Sequence, residues 1–154
     1  MAQHAGEPGL EALGGVAHGQ DERYRQAGWW RDTTYIDDFL VAVATHPDKV
    51  AIVGHRADPA PSVTTVSYGQ LGQLVDRFAG ALLDLGVAPG EIVSIQLPND
   101  WVFAALVLAC GRIGAVANPL VPILRDREIS FMLGRTTSPV VIVADRYRGY
   151  DHAA

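Results

Sequence analysis

The sequence predicts an α/β fold: a parallel βαβαβ segment preceded by a helix and a β-hairpin. Three observations predict it. From Glu91 onward, short apolar runs alternate with segments of helical period, the order expected of parallel βαβ units. Ahead of them, two runs rich in β-branched residues flank a turn-rich loop. Capping and stop residues stand where each helix should begin and end.

Thr34 can cap a helix with Asp37 in its first turn, and Ile36, Phe39, Leu40 and Val43 fall on one face. His46-Pro47 ends it, because a residue before proline avoids the α region. VAIVG (50–54) reads as a strand, HRADPAPS as a loop and VTTVS (63–67) as the partner strand. Ser67 is a good N-cap for the next helix, whose buried stripe is Leu71, Leu74, Val75, Phe78, Leu82 and Leu85. Gly86 suits its C-terminus. EIVSIQL (91–97) is a strand. Asn99 or Asp100 then caps an apolar helix over about 101–113. AVAN is a short strand, VPILRDREISFML leads into a helix, and the run from Pro139 to Asp145 is an apolar strand. Residues 1–27 lack lasting periodicity and read as a flexible N-terminal arm, leaving 28–154 as the α/β portion. Trp29 and Trp30 read as anchors for that arm; beside Arg23, Arg25 and Arg31 they also raise a membrane-surface role, which the acidic balance weakens.

The 154 residues allow one core, and their 49% apolar and 19% charged content is that of an ordinary soluble domain. A net charge of −5 without a basic patch argues against nucleic acid; RYRGY (146–150) is too short to change that. Cys110 is the single cysteine and reads as a small buried hydrophobe. Its apolar run, Trp101 to Cys110, falls well below the ~20 residues that span a bilayer, so no integral membrane segment is expected. The first residues lack the basic-then-apolar pattern of a secretory signal, and a cytoplasmic location follows by default.

ACGRIGAVANPL (109–120) raises the question of a phosphate loop. Such loops follow a strand and open a helix, where free N–H groups and the positive dipole end face the anion. Gly111 and Gly114 instead close a helix. They read as a C-cap and as small residues for tight helix–sheet packing. The histidines His4, His18, His46, His55 and His152 show no metal-ligand spacing. No G-x-S-x-G surrounds Ser67, Ser94 or Ser130. RTTSP (135–139) reads as a helix-to-strand turn, and RDRE (125–128) as a solvated helix start. Neither a catalytic, a cofactor-binding nor a metal-ligating residue is assigned.

Five pieces together resemble the N-terminal part of AMP-forming acyl-CoA synthetases, in the adenylate-forming superfamily. They are HPDKVAIV (46–53), VSYGQLGQLVDRFAGALLDLGVAPGEIVSIQLPN (66–99), WVFAALVLACGRIGAVANPLVPI (101–123), REISFML (127–133) and SPVVIVADRYRGYD (138–151). GWWRD and RYRGYD look most like the branch of cyclohexanecarboxylate-CoA ligase and related medium-chain or alicyclic acid ligases. The resemblance implies a partial N-terminal domain of the adenylate-forming fold. Its full-length chemistry uses ATP and Mg²⁺ to turn a carboxylate into an acyl-adenylate with release of pyrophosphate, after which the CoA thiol displaces AMP.

The family's phosphate loop ending in Pro-Lys-Gly, its later acidic motifs and its C-terminal lysine have no counterpart here. Lys49 is the only lysine, in the PDKV turn. A scaffold fragment, inactive alone and binding no cofactor itself, is therefore expected. Two alternatives stand beside it. One is a non-catalytic interaction module that self-associates through surfaces a longer domain would cover. The other is a small α/β ligand-binding domain, with Asn99, Trp101 and the loop after Val143 near a small apolar acid.

Overall fold

The computed structural model describes residues 20–56 and 61–152, and its chain divides into two units, Met1–Thr34 and Tyr35–Ala154. In the first, helix α1 (Gln20–Gln26) occupies a stretch expected to lack regular structure. Tyr24 explains it locally: its carbonyl accepts from the N–H groups of Trp29 and Trp30, at 2.9 and 3.2 Å. Its ring lies 5.5 and 5.2 Å from theirs. The indoles thus have a partner within their own unit. Arg25 pairs with Asp32. Residues 1–19, the rest of the expected arm, lie outside the described residues.

The second unit follows the predicted order. Helix α2 (Tyr35–Thr45) buries Ile36 and Phe39, with Leu40 and Val43 packed at the core margin. Strands β1 (Val50–Arg56) and β2 (Ser62–Ser67) form the antiparallel hairpin, with a register shift between Val50 and Ile52. Helix α3 (Tyr68–Asp84) begins at Ser67 with a reciprocal cap: the Ser67 Oγ accepts from the Gln70 N–H, and the Gln70 Oε1 accepts from the Ser67 N–H.

Both long helices end alike. After α3, Gly86 has φ +85°; its N–H reaches the Leu83 carbonyl, and that of Val87 reaches Leu82. After α4 (Trp101–Arg112), Gly114 has φ +74°; its N–H reaches the Gly111 carbonyl, and that of Ala115 reaches Cys110. These are paired Schellman closures, which demand left-handed backbone at the glycine. The first one corrects an expectation. Leu85 is 66% exposed rather than on the buried stripe, because the reversal at Gly86 sends Val87 into the core instead.

Strands β3 (Ile92–Gln96), β4 (Val116–Pro119) and β5 (Val140–Val143) make a parallel sheet in the order β4-β3-β5. Helix α5 (Asp126–Thr136) links the outer two and buries none of its residues. The core joins Val93 and Ile95 of β3 to Val75, Ala79 and Leu82 of α3 and to Ala105, Ala109 and Cys110 of α4. Alternation along a strand then turns Ser94 and Gln96 to the other face, where both are buried. A last short hairpin, β6 (Arg146–Tyr147) and β7 (Tyr150–Asp151), occupies the RYRGY stretch.

Gly111 departs from its expected use. A Cβ there would lie 2.7 Å from Ile36 Cγ1 and would run into the Tyr35 hydroxyl. Its smallness therefore lets α2, a helix, approach α4; the sheet is not the partner.

Candidate functional site

The carboxyl ends of β3 and β5 open into a crevice. β3 runs out at Gln96 into Leu97-Pro98, and Asp100 starts α4 by accepting from the N–H groups of Val102 and Phe103, at 3.0 and 3.2 Å. The same carboxylate meets Arg56 of the first hairpin, 3.4 Å from Nη2 to Oδ2. Trp101 follows, half-buried, its indole laid on Gly54: a Cβ there would sit 3.2 Å from Trp101 Cδ1. Beyond β5, the hairpin turns through Arg148 and Gly149, at φ +50° and +80°, the conformation a two-residue hairpin turn requires. Gly54 to Arg56, Ser62 and Thr64, the segment 97–102, and residues around 144–148 thereby line a crevice of about 820 Å³. Asn99, Trp101 and the segment after Val143, singled out from the sequence, do line one cavity.

Beside it lies a polar network with no sequence signal. The Gln96 amide donates to the carbonyls of Val121 and Leu124, at 3.2 and 3.0 Å. Its Oε1 therefore faces the Nδ1 of His152, 3.3 Å away. Tyr150 stacks edge-on to His152 at 4.9 Å, receives the Arg125 guanidinium over its ring at 4.0 Å and donates to Asp126 at 3.2 Å. That hydrogen bond, favouring the protonated phenol, holds Tyr150 above the usual tyrosine range. The network ties the last hairpin to the start of α5, so RDRE is more than a solvated start: Arg125 and Asp126 both engage Tyr150.

The other flagged residues take structural places. Ser67 is a cap, and Ser94 is buried on β3, accepting from the Asn118 amide at 3.0 Å. Ser130 is exposed on α5. His46 ends α2 and His55 sits on β1; His4 and His18 lie outside the described residues. Cys110 is fully buried, and burial pushes its thiol pKa up. RTTSP is the helix-to-strand turn, with Thr137 left-handed at φ +45°. Among the described residues, no His, Cys, Asp or Glu cluster could hold a metal, and no helix is long and apolar enough to cross a membrane. A nucleotide phosphate finds no cradle at Gly111 or Gly114, where the carbonyl end of a helix points.

Residues 39–154 match the model of the AMP-binding enzyme family. A salicylyl-CoA synthase / salicylate adenylyltransferase of a Streptomyces species is 34% identical over 86% of this chain and 23% of its own. The medium-chain fatty-acid–CoA ligase of Escherichia coli K12 is 31% identical over 73% of this chain and 19% of its own. The chain thus spans less than a quarter of these curated relatives. Among solved structures, the inhibitor-bound N-terminal domain of FACL13 from Mycobacterium tuberculosis superposes with a TM-score of 0.63 and 30% identity, over 70% of this chain and 26% of that one.

Proposed function

This chain belongs to the AMP-binding enzyme family, and we propose that it is the opening scaffold of an ATP-dependent, AMP-forming carboxylic acid ligase, inactive in adenylation by itself. The observation that carries the reading is a family match over residues 39–154 in a segment with no phosphate-binding lysine or glycine loop. Lys49 lies in a turn between α2 and β1, with its backbone N–H on the His46 carbonyl. The residues present do not fit ATP or Mg²⁺, so no chemical step is assigned to them. In the full-length relatives ATP, Mg²⁺ and a thiol acceptor complete the reaction. The acid attacks the α-phosphorus and expels pyrophosphate; the thiol sulfur then attacks the acyl carbon and expels AMP. In this reading residues 28–154 are the α/β portion, residues 1–27 precede it, and the ligase works in the cytoplasm.

The acid is aromatic or medium-chain aliphatic, since relatives named for salicylate and for medium-chain fatty acids match at similar identity. ATP–pyrophosphate exchange on the 154-residue chain with salicylate, octanoate and cyclohexanecarboxylate tests the inactivity. No acid-dependent exchange is expected, and such exchange would overturn it. The scaffold role is checked by reading the coding frame past Ala154, where a Ser/Thr/Gly loop ending in Pro-Lys-Gly is expected. A second reading, an interaction module, draws on the outer edges of β4 and β5, which pair with no further strand among the described residues.

A further inference from the structure

The parallel sheet has two unlike faces. The step from β3 to β4 crosses the sheet one way and the step from β4 to β5 crosses it the other way. Right-handed crossovers therefore put α4 and α5 on opposite faces. On the α4 side, Val93 and Ile95 enter the core. On the α5 side, β3 presents Ser94 and Gln96, and Asn118 of β4 lies beside Ser94 in register. Val116 and Val141 share this second face by the same alternation, and both are exposed. The cover that α5 gives is thus thin. None of its residues is buried. Its inner stripe, Ile129, Met132, Leu133 and Thr136, is half-buried and stands outside the core cluster.

The chain is fixed to β3 on both sides of this helix. Ahead of it, the Leu120 N–H donates to the Ile95 carbonyl at 2.9 Å, and the Gln96 amide donates to the carbonyls of Val121 and Leu124. Behind it, the Ser138 hydroxyl bonds to Ile92 and Ser94. Between these anchors, Tyr150 of the last hairpin grips the first turn of α5. Arg125 lies over its ring at 4.0 Å, and its hydroxyl donates to Asp126 at 3.2 Å. The helix ends at Thr137 in the left-handed region, a conformation that costs a β-branched residue free energy.

We propose that residues 125–137 are a strap that unwinds from the polar face of β3 as one unit while the sheet stays paired, and that Tyr150 is the clasp holding it shut. Opening is cheap, because Ser94, Gln96 and Asn118 pair with water once uncovered and the core around α3 and α4 stays closed. The inference is independent of the ligase reading.

Hydrogen–deuterium exchange on the full chain without denaturant, read by NMR, tests it. The amides that bond within α5, from Ile129 to Thr137, are expected to share one protection factor. It should lie at least about tenfold below that of the slowest α3 amides. Tyr150→Leu keeps apolar bulk but loses both grips, and should speed α5 exchange about tenfold with α3 unchanged. Tyr150→Phe keeps the ring under Arg125 and loses the donation to Asp126, and should speed it about threefold. Tyr147→Leu, on the same hairpin, should change neither helix. The proposal fails if α5 is protected as strongly as α3, or if its protection declines gradually from one end. It also fails if Tyr150→Leu moves both helices together or neither, or if Tyr147→Leu matches it.

Discussion

The Ser138 hydroxyl accepts from the Ser94 N–H at 3.0 Å and lies 2.6 Å from the Ile92 carbonyl, to which it donates. One side chain thereby satisfies two backbone groups of the central strand, just before β5 begins. Ser138→Ala removes these side-chain hydrogen bonds in a half-buried place, while both backbone groups keep their places beside β5 in the ladder. A hydrogen bond contributes about 0.5–1.5 kcal/mol net, and the expected loss in a urea titration is of that size. Ser138→Thr keeps the hydroxyl and should recover much of it. Cys110 tests burial in another way. Its raised pKa means that the folded state favours the neutral thiol, so this contribution is intact below the unfolded pKa of about 8.5 and fades as pH rises beyond it. A thiol reagent at pH 8 should modify Cys110 only as fast as the core opens. Immediate stoichiometric reaction with folded protein would contradict the packing.

At the scale of elements, two helical glycines make a controlled pair. Gly80 in α3 has nothing within 4 Å of where a Cβ would point, so Gly80→Ala should stabilise by about 0.5–1 kcal/mol through backbone entropy alone. Gly111→Ala gains the same term but drives its methyl into Ile36 and Tyr35 of α2. Overpacking typically costs about 1–3 kcal/mol, so the steric term wins and the melting temperature should fall. If both variants stabilise, α2 does not hold α4 as described. This contrast marks what a sequence discloses. Helix ends were legible because caps are local: Ser67 with Gln70, Asp100, Gly86 and Gly114 each act within a few residues. The partner of Gly111 was not legible, since Tyr35 is far away along the chain. Leu85 kept a helical period to its last residue, and only the reversal at Gly86 exposes it. α1 and the hairpin at 146–151 leave no signal in the sequence, because seven residues of helix and two-residue strands are too short to establish a period. The crevice was half legible. A general rule for parallel sheets placed Asn99 and Trp101, whereas Gln96 and His152 meet across 56 positions.

Across the whole molecule, the family match and the short span set a physical expectation about surfaces. Among the described residues, the sheet β4-β3-β5 has one fully flanked strand and two edges. Val116 on β4 and Val141 on β5 are exposed, as are Val121 and Ile123 after β4 and Phe131 on α5, the last at 69%. A charged residue or a proline can blunt an edge, and Pro119 does so at the end of β4. β5, Val-Val-Ile-Val, has neither, and it is the edge from which pairing should start. We therefore expect the 154-residue chain to associate with itself as concentration rises. Sedimentation velocity should show a weight-average coefficient that climbs with loading. Val141→Lys places a charge on the open strand at a position already 38% exposed, so it should suppress association while leaving the urea midpoint nearly unchanged. Phe131→Glu on α5 separates the two surfaces. If it alone restores the monomer, the helix face mediates contact and the strand edge does not. A chain that sediments as one monomeric species across the range would remove the interaction-module reading and leave the scaffold reading standing.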